Sequence, residues 1–509
     1  MFEELQEKWQ FMTQYLQPEL LIQQLTYDAA HPLIFSSGLF LFMFLAFTFI
    51  YMLLRHHTTA RLLFVTLFSY YFYYKSSGFY FFLLAVVTIS DWLIGAQVGR
   101  LRNEGRKRAA QWMVALSMVI DLALLCYFKY TNFFFGSISQ IIGNNFQPWD
   151  IFLPVGVSFF TFQSMSYTID IYRGHVKPLP RLLDYAFFVS FFPQLVAGPI
   201  VKAREFVPQI HRPLTITSRM MGEGVFLILI GLFKKAVISD YISLNYVDRI
   251  FDNPALYTGI ETLLGVYGYT VQIYCDFSGY SDMAIGIALL LGFRFPQNFN
   301  APYTSASITE FWRRWHISLS SWLRDYLYIS LGGNRKGKFR TYLNNFLTFL
   351  ICGLWHGAAF NFIIWGAWHG LGVVAHKLFS QEVLHHDRRY RSHGVKRFFA
   401  VIITFHFCVL GWIMFRATDI SQWSIILHNI FLELHPEYFW PVIDSFRLVF
   451  ALIAFALISH WLPYTWQRRM TAILSRSGVV VHALLLTAVI YIIIQVRSSD
   501  IQPFIYFQF

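Results

Sequence analysis

The stretch that decides the fold runs from Thr341 to His376 and reads TYLNNFLTFLICGLWHGAAFNFIIWGAWHGLGVVAH. Its 36 residues include no Asp, Glu, Lys or Arg. A continuous α-helix of that length would be about 54 Å long, whereas the core of a bilayer is roughly 30 Å thick. The sequence therefore predicts a membrane-embedded segment that bends or breaks, and Gly357 and Asn361 lie close to its midpoint.

The composition of the whole chain indicates that lipid is its main solvent. Of the 509 residues, 56% are hydrophobic, 19% are aromatic and only 13% are charged, whereas about a quarter of the residues in soluble proteins are charged. This composition excludes a disordered protein, a coiled coil, a secreted disulfide-rich domain and a typical cytosolic enzyme. We predict an all-α, polytopic integral membrane protein with about ten to thirteen transmembrane helices and additional re-entrant or interfacial helices.

Uncharged runs divide the chain into candidate crossings, of which 32–54 and 477–496 are the clearest. The other runs are 61–74, 78–98, 111–128, 151–171, 184–200, 220–239, 257–275, 277–293, 398–415 and 448–463. Segment 1–31 has five acidic residues against one lysine, net −4, while loop 100–108 has five basic residues against one glutamate, net +4. The positive-inside rule then predicts an extracytoplasmic amino terminus and a cytoplasmic loop 100–108, with a second cytoplasmic marker in the basic cluster at 388–397.

The net charge of +12 does not indicate a nucleic-acid partner, because the basic residues gather in short loops between apolar runs. The four cysteines stand alone, without a Cys-x-x-Cys pair or metal-ligand spacing, so we predict neither a metal site nor a disulfide. No Gly/Ser/Pro-rich linker or soluble domain interrupts the chain. One membrane-embedded domain over 1–509 is the simplest prediction, with lipid as its surroundings.

His356 is the first candidate for chemistry, because it precedes the predicted break by one residue. A histidine near the middle of the membrane is costly unless it faces protein or a water-filled cavity, which makes a functional role the default hypothesis. The alternative is a neutral core histidine that hydrogen bonds to a backbone carbonyl. Its surroundings are repeated: Gly353-Leu-Trp-His-Gly357 recurs as Gly366-Ala-Trp-His-Gly370, so His369 occupies the equivalent place in the echo.

The sequence of residues 307–340 predicts an amphipathic element that is too charged to span the membrane. Ser307-Ile-Thr-Glu310 fits a capping box at a helix start. The large side chains that follow recur at intervals of three and four, which places on one helical face Trp312, Trp315, Leu319, Trp322 and Tyr326. We predict an interfacial or re-entrant helix, with Arg313, Arg314 and Arg324 on its other side. His316 adjoins the aromatic stripe and is either structural or functional.

Two further groups of polar residues are candidates for binding. Arg335 and Lys336 lie in the glycine-rich loop Gly332-Gly-Asn-Arg-Lys-Gly337, which could hold phosphate groups of a cytosolic donor, although a positive-inside loop explains the same charges. Asp276 and Ser278 interrupt an apolar stretch. Asp276 could orient a histidine or a substrate hydroxyl, or it could cap a helix that begins at 276–278.

Several motifs in this order resemble the membrane-bound O-acyltransferase (MBOAT) family, in particular its bacterial branch of alginate O-acetyltransferase membrane subunits. The likeness runs from about 150 to 375, with a looser likeness before it and at 503–509. The motifs that carry it are Leu153-Pro-Val-Gly-Val-Ser-Phe-Phe-Thr-Phe-Gln163, Ile169-Asp-Ile-Tyr-Arg-Gly174, Phe192-Pro-Gln-Leu-Val-Ala-Gly-Pro199, Asp276-Phe-Ser-Gly-Tyr-Ser-Asp-Met-Ala-Ile-Gly286, Asn298-Phe-Asn-Ala-Pro-Tyr303, Phe311-Trp-Arg-Arg-Trp-His-Ile-Ser-Leu-Ser320 and Gly353-Leu-Trp-His-Gly357.

The resemblance implies that His356 is catalytic and His316 supports it, within a catalytic core at 150–375. His369 matches a recurrent position of the family without a firm role. Residues that we expect to line the substrate path are Trp315, Trp355, Asp276, Ser278, Asn361 and His369. Histidine has a suitable pKa for a general base, so His356 is predicted to take the proton of an attacking hydroxyl.

The resemblance further implies that acetyl groups from cytosolic acetyl-CoA pass through the protein toward an extracytoplasmic polysaccharide acceptor. A separate exported acetyltransferase would be the partner, and the location would be the bacterial inner membrane, with no bound cofactor. Three alternatives stay open at this point: transfer of D-alanine from a carrier protein to teichoic acid, a polysaccharide-export or transport protein, and a structural membrane scaffold. A transporter would be expected to show inverted repeats, which the sequence lacks.

Overall fold

The computed structural model describes residues 18–29, 32–385, 387 and 392–496. Within these ranges the chain forms helices and no strand. Most of the acidic segment 1–31, the basic residues Arg388, Arg389 and Arg391, and the motif at 503–509 lie outside the described residues.

The amino-terminal half contains thirteen of the α-helices in the described part of the chain. They are α1 (Pro18–Leu25), α2 (Gly38–Leu53), α3 (Thr58–Ser77), α4 (Phe81–Asn103), α5 (Lys107–Ile142), α6 (Val157–Arg173), α7 (Leu182–Ser190), α8 (Phe192–Leu195), α9 (Ala203–Phe206), α10 (Ser218–Leu232), α11 (Asp240–Ile242), α12 (Asp248–Asp252) and α13 (Gly259–Leu290). Two π-helical segments, Phe233–Ser239 and Ser243–Val247, connect α10 to α12.

The remaining described helices belong to the region that holds the predicted site and to the carboxy-terminal bundle. They are α14 (Ile308–Trp312), α15 (Ile317–Trp322), α16 (Gly337–His356), α17 (Phe360–Leu378), α18 (Gly394–Arg416), α19 (Ile420–Leu432), α20 (Phe439–Ser445), α21 (Arg447–Ser459), α22 (Tyr464–Arg476) and α23 (Val479–Val496). Further π-helical segments follow α15 at Leu323–Tyr328 and α17 at Phe379–Val383.

Among the residues that the structure describes, three helical runs are long and apolar enough to cross a bilayer by length and composition: Thr58–Asn103, Lys107–Ile142 and Gly394–Arg416. A fourth is added if Pro436–Ser445 and Arg447–Ser459, which meet at 96°, form one bent span. The prediction of an all-α membrane protein is confirmed, while ten to thirteen crossings stays a prediction. A criterion based on length and composition does not select α13, because this helix contains polar residues. Those residues are buried against other helices rather than exposed to lipid.

The first of these runs is two helices that pack against each other. The hydroxyl groups of Tyr70 on α3 and Thr88 on α4 are 3.3 Å apart, whereas 18 residues of one straight helix would separate them by about 27 Å. Gly78 makes the reversal possible because it adopts a φ of 60°, in the left-handed region that favours glycine. Runs 61–74 and 78–98 are therefore separate helices, as predicted.

Helix α13 is the central element, and it corrects the prediction of two segments at 257–275 and 277–293. It continues through residues 276–278 without a break, so the predicted helix start there is wrong. Four glycines allow α10 and α13 to pack closely: a methyl group on Gly231 would lie 2.6 Å from the carbonyl oxygen of Gly279, and one on Gly286 would lie 2.6 Å from that of Gly224. Small residues of this kind are typical of helix contacts in membranes.

Candidate active site

The uncharged stretch breaks at the predicted place. Helix α16 ends at His356, Gly357 is extended with φ −161° and ψ 155°, and α17 begins at Phe360. The side chain of Phe362 occupies the space beside Gly357, since a methyl group there would lie 2.1 Å from its ring. A continuous helix would displace Gly357 from its contact with Phe362. The tertiary packing therefore keeps the helix broken here.

The two helices on either side of the break pack together through the echoed motif. A methyl group on Gly353 would lie 2.9 Å from the Cα of Gly366, and one on Gly366 would lie 3.1 Å from the Cα of Gly353. The first glycine of each Gly-x-Trp-His-Gly copy therefore faces the other. The sequence showed the repeat, and the structure gives the reason for its first position, which is close contact between two helix backbones.

The end of α16 is held by two residues of α5 that the sequence analysis missed. Lys129 Nζ donates hydrogen bonds to the carbonyl oxygens of Trp355 (2.8 Å) and His356 (2.7 Å). The hydroxyl of Tyr130 donates to the carbonyl oxygen of Leu354 (2.6 Å). The last carbonyls of a helix have no partner within it, and a cation there also meets the negative end of the helix dipole. The available signal was a lysine directly after the apolar run 111–128.

Two cavities flank the break. The smaller, of about 40 Å³, is lined by His356, Trp355, Lys129, Val196 and residues 153–159. The larger, of about 470 Å³, lies beyond the break. It is lined by Asn132, Phe133, Gly136, Ser137, Gln140, Ala359, Phe360, Asn361, Thr418, Asp419, Ile420 and Ser421. Only 4% of the His356 surface is exposed, so the histidine is buried in protein but borders a space.

His316 is fully buried and adopts an unusual backbone conformation, with φ 41° and ψ 57°. Its ring Nδ1 is 3.1 Å from the side-chain oxygen of Asn298, which also accepts hydrogen bonds from the backbone N–H and hydroxyl of Ser318. The amide nitrogen of Asn298 donates to the hydroxyl of Ser281 on α13 (3.0 Å). A left-handed non-glycine residue is strained by about 1–3 kcal/mol, and such strain concentrates at functional sites.

His316 interrupts the amphipathic helix predicted within 307–340. The chain instead forms two short helices, α14 and α15, with His316 between them. The predicted stripe Trp312, Trp315, Leu319, Trp322 and Tyr326 is nevertheless buried throughout, while Arg313 and Arg324 are exposed. The capping prediction is confirmed in part: the Ser307 side chain accepts from the Glu310 N–H, but the Glu310 carboxylate accepts from the N–H of Ala306.

Aromatic rings connect the three predicted histidines. The Trp355 ring is 6.5 Å from His316 and 4.9 Å from His356, measured between ring centroids. The Trp365 ring is 5.0 Å from His356 and 4.8 Å from His369. The structure therefore brings His316, His356 and His369 into one buried cluster in which each neighbouring pair shares a tryptophan.

His369, Asn361 and Trp315 have defined structural partners. The ring Nδ1 of His369 accepts a hydrogen bond from the indole N–H of Trp312 (3.3 Å). The Asn361 amide donates to the carbonyl oxygens of Met414 and Ala417 at the end of α18 (3.2 and 2.6 Å). The Trp315 ring packs 4.7 Å from that of Trp412. Asn361 also lines the larger cavity.

Asp276 pairs with a lysine. Its carboxylate is 2.5 Å from Nζ of Lys235, which is also 2.8 Å from Asp240. All of these residues are on or near α13 and the π-helical segment 233–239. The alternative that Asp276 orients a histidine is not supported by this pairing. Ser278, two residues further along α13, is fully buried.

Arg335 and Lys336 are exposed in the loop before α16. His356 ends the same helix, which at 20 residues separates loop and histidine by about 30 Å. Two glycines of the loop adopt a positive φ, 108° at Gly332 and 56° at Gly333. The structure therefore does not bring the predicted phosphate-binding residues to the histidine cluster.

A second basic cluster, which the sequence analysis missed, surrounds Asp325. Lys202 Nζ and Arg324 Nε are 2.9 and 2.8 Å from its carboxylate, Arg204 also pairs with it, and Arg173 donates to its backbone carbonyl (2.9 Å). Burial raises the pKa of Asp325, but hydrogen bonds from Arg324 and Lys202 and the charge of Lys202 outweigh burial and lower the pKa to about 2. The cluster keeps more positive than negative charge.

An aromatic stack leads from this basic cluster toward His356. The Trp322 ring stacks on Phe162 at 3.9 Å, and Phe162 stacks on Trp355 at 5.2 Å. Trp322 also donates its indole N–H to the carbonyl oxygen of Phe162 (2.8 Å). A stack of three rings thus runs from Trp322, three residues before Asp325, to Trp355, next to His356.

The described residues form a helical membrane protein with buried histidines at a broken helix. Such an arrangement is typical of membrane proteins with a polar functional site inside the bilayer. The sequence profile of the membrane-bound O-acyltransferase family, MBOAT, matches residues 173–415. The chain belongs to this family, so the resemblance is confirmed.

Individual relatives carry different names. A probable alginate O-acetylase of Pseudomonas aeruginosa is 44% identical over 344 residues, which cover 66% of this chain and 63% of that protein. A peptidoglycan O-acetyltransferase of Helicobacter pylori is 37% identical over 66% of this chain and 67% of that protein. A teichoic acid D-alanyltransferase of Bacillus subtilis is 31% identical over 53% of this chain and 70% of that protein.

Proposed function

We propose that this protein is a membrane O-acyltransferase that moves acetyl groups from cytosolic acetyl-CoA for the O-acetylation of an extracytoplasmic polysaccharide. One observation carries the proposal: His356 ends a broken helix, is buried among aromatic rings, and borders a cavity. The O-acetylating relatives at 44% and 37% identity support the acyl group. The same relatives are named for alginate and peptidoglycan, which supports a polysaccharide acceptor.

In the proposed mechanism, His356 acts as a general base. The hydroxyl of the acceptor attacks the thioester carbonyl carbon while its proton moves to the imidazole. The tetrahedral intermediate then collapses to the ester, and the departing thiolate takes the proton from the imidazolium. General base catalysis of this kind contributes about 10²–10⁴ in rate.

His316 is proposed to hold the reacting group in place. Its ring is anchored to α13 through Asn298 and Ser281, and its backbone is strained. Locked rotamers supported by a second layer of hydrogen bonds are what a positioned catalytic group needs. The aromatic neighbours Trp315 and Trp355, together with Asn361 and His369, would shape the path around it, whereas Asp276 and Ser278 would act only through α13.

The donor is proposed to approach from the cytoplasmic side. The two groups of basic residues, Arg335 with Lys336 and the four cations around Asp325, offer charge for an anionic donor. The amino terminus would be extracytoplasmic, in a bacterial inner membrane, because the acidic segment 1–31 and the basic loop 100–108 have opposite charge. We further propose that an exported acetyltransferase is the partner that passes the acetyl group from the hydroxyl acylated here to the polysaccharide.

The closest alternative reaction is D-alanyl transfer from a carrier protein, which the Bacillus subtilis relative suggests. The deciding experiment uses the full chain in vesicles with radiolabelled acetyl-CoA on the cytoplasmic side or, in parallel, a carrier protein loaded with labelled D-alanine. We expect the label of acetyl-CoA to reach a hydroxyl acceptor on the opposite side of the membrane. The labelled D-alanine should remain on the carrier protein. The proposal is contradicted if only D-alanine is transferred, or if unmodified polysaccharide crosses the membrane without acylation.

A further inference from the structure

Lys129 has no role in the mechanism proposed above. It is half-buried on α5 and reaches across to the end of α16, where it donates to two consecutive carbonyl oxygens at 2.8 and 2.7 Å. One of these carbonyls belongs to His356 itself. The ammonium group is therefore fixed by two charge-assisted hydrogen bonds next to the proposed base.

The same side chain lines the small cavity beside His356 and brings a positive charge to it. Its other walls include residues 153–159, which contain the first turn of α6, so the positive end of that helix dipole faces the space. No carboxylate is among the lining residues. Gly156, directly before α6, allows this segment to pack closely against Leu195. Its φ is 78°, and a methyl group there would lie 2.5 Å from the carbonyl oxygen of Leu195.

The hydrogen-bonding capacity of Lys129 is incompletely used. A lysine ammonium carries three N–H donors, and two of them bind the carbonyl oxygens of Trp355 and His356. The third has no acceptor within the described ranges 18–29, 32–385, 387 and 392–496. An acceptor that entered the cavity would therefore meet a fixed, charged donor without displacing an existing bond.

Resting on the acyl transfer proposed above, we propose that Lys129 is a catalytic residue that stabilises the oxyanion. When the acceptor oxygen attacks the thioester carbon, the carbonyl π electrons move to the carbonyl oxygen, and the acceptor proton moves to His356. Lys129 donates its third N–H to that oxygen and keeps all three protons throughout. Collapse restores the carbonyl, breaks the carbon–sulfur bond, and returns the proton from the imidazolium to the thiolate.

A purely structural role for Lys129, as a cap on α16, is the alternative, and the neighbouring residue provides a matched control. Tyr130 caps the preceding carbonyl, that of Leu354, at 2.6 Å but is not among the residues that line the small cavity. Tyr130→Phe thus removes one cap from the same helix end and leaves the oxyanion site intact. Lys129→Met keeps the length of the side chain but removes every donor.

The experiment compares Lys129→Met, Lys129→Arg, Tyr130→Phe and His356→Ala as full chains in vesicles, with acetyl-CoA and an alcohol acceptor. We expect Lys129→Met to lower kcat by about 10²–10³, the size typical of losing one oxyanion donor, with little change in the KM for acetyl-CoA. Lys129→Arg should recover part of kcat because it restores charged donors. Tyr130→Phe should retain kcat near the wild-type value.

Thermal unfolding of each variant, in the same vesicles, separates folding from chemistry. The inference is overturned if folded Lys129→Met keeps wild-type kcat, or if Lys129→Met and Tyr130→Phe lose kcat equally. It is also overturned if Lys129→Arg is as inactive as Lys129→Met while both are folded. An active His356→Ala would contradict the proposed function instead, so the two failures are distinguishable.

Discussion

Two regions of this protein share the local sequence Gly-x-Trp-His-Gly, yet their histidines have different surroundings. His356 is the last residue of α16, borders a cavity, and its carbonyl is bound by Lys129. His369 lies within α17, is fully buried, and accepts a hydrogen bond from Trp312. The difference begins at the following glycine, because Gly357 is extended and ends the helix whereas the glycine after His369 stays helical.

The comparison teaches that the motif specifies close packing, while the neighbouring chains decide what its histidine can do. The first glycine of each copy serves the same contact between α16 and α17. A histidine in mid-helix that is enclosed by rings is a packing residue with one satisfied nitrogen. A histidine at a helix end, beside a space, can exchange a proton with an entering group. Substitutions at four positions test this distinction.

The largest effect is expected for His356→Ala. Loss of the general base should lower acetyl transfer by about 10²–10⁴, and transfer of label from acetyl-CoA in vesicles measures it. His56→Ala, in the exposed loop between α2 and α3, is the control and should keep full activity. Wild-type transfer by a correctly inserted His356→Ala protein would break the comparison at its central point.

His316 should show the next largest effect, and its backbone allows a discriminating pair. Both His316→Ala and His316→Gly remove the ring and should lower kcat by about 10², the lower end of the range for a group that acts in general acid–base catalysis. The glycine variant should unfold with a free energy about 1 kcal/mol higher than that of the alanine variant, because only glycine adopts φ 41° without strain. Equal stability of the two variants would mean that the left-handed conformation is not retained.

Gly366→Ala sharpens the comparison at the shared glycine. The added methyl group would lie 2.5 Å from the carbonyl oxygen of Phe349, so α16 and α17 must move apart. We expect the free energy of unfolding to fall by about 1–3 kcal/mol, as for other overpacked sites, and thermal unfolding measures it. Gly38→Ala is the control, since no atom lies within 4 Å of its added methyl group. Similar stability losses in both variants would contradict the proposed helix contact.

The smallest effect is expected for His369→Phe, which keeps a ring but loses the acceptor for Trp312. The lost hydrogen bond should lower the free energy of unfolding by about 0.5–1.5 kcal/mol, while kcat per folded molecule stays near the wild-type value. Denaturation and acetyl transfer are measured on the same sample. A loss of kcat comparable to that of His356→Ala would show that the two copies of the motif share the chemistry.

The sequence predicted the parts of the site that depend on local composition. The break near Gly357 followed from an uncharged run too long for one crossing, and burial of the aromatic stripe followed from its helical spacing. The continuity of the helix around His316 was predicted wrongly, because spacing reports which side is apolar and cannot detect one left-handed residue. The predicted helix start at Asp276 was also wrong, because α13 runs through this residue, and its lysine partner lies 41 residues away in the chain, at Lys235.

Lys129, Tyr130 and the cations around Asp325 were missed for the same reason. Their partners come from distant helices: Lys129 and His356 are 227 positions apart, and Lys202 and Asp325 are 123 apart. A lysine after an apolar run is typical of a helix end near the membrane surface, so its sequence context indicated topology rather than a site. Only the packing of α5 against α16 distinguishes the two interpretations.

By itself, the sequence determined that this protein is helical and lies in the membrane, because apolar runs must bury their backbone polar groups in internal hydrogen bonds when water is absent. Its motifs also determined the family. The tertiary structure alone decided which histidine ends a helix, which cation meets it, and which cavity both of them border. Those outcomes depend on contacts between helices distant in sequence, where close packing and the pairing of buried polar groups select one arrangement among many.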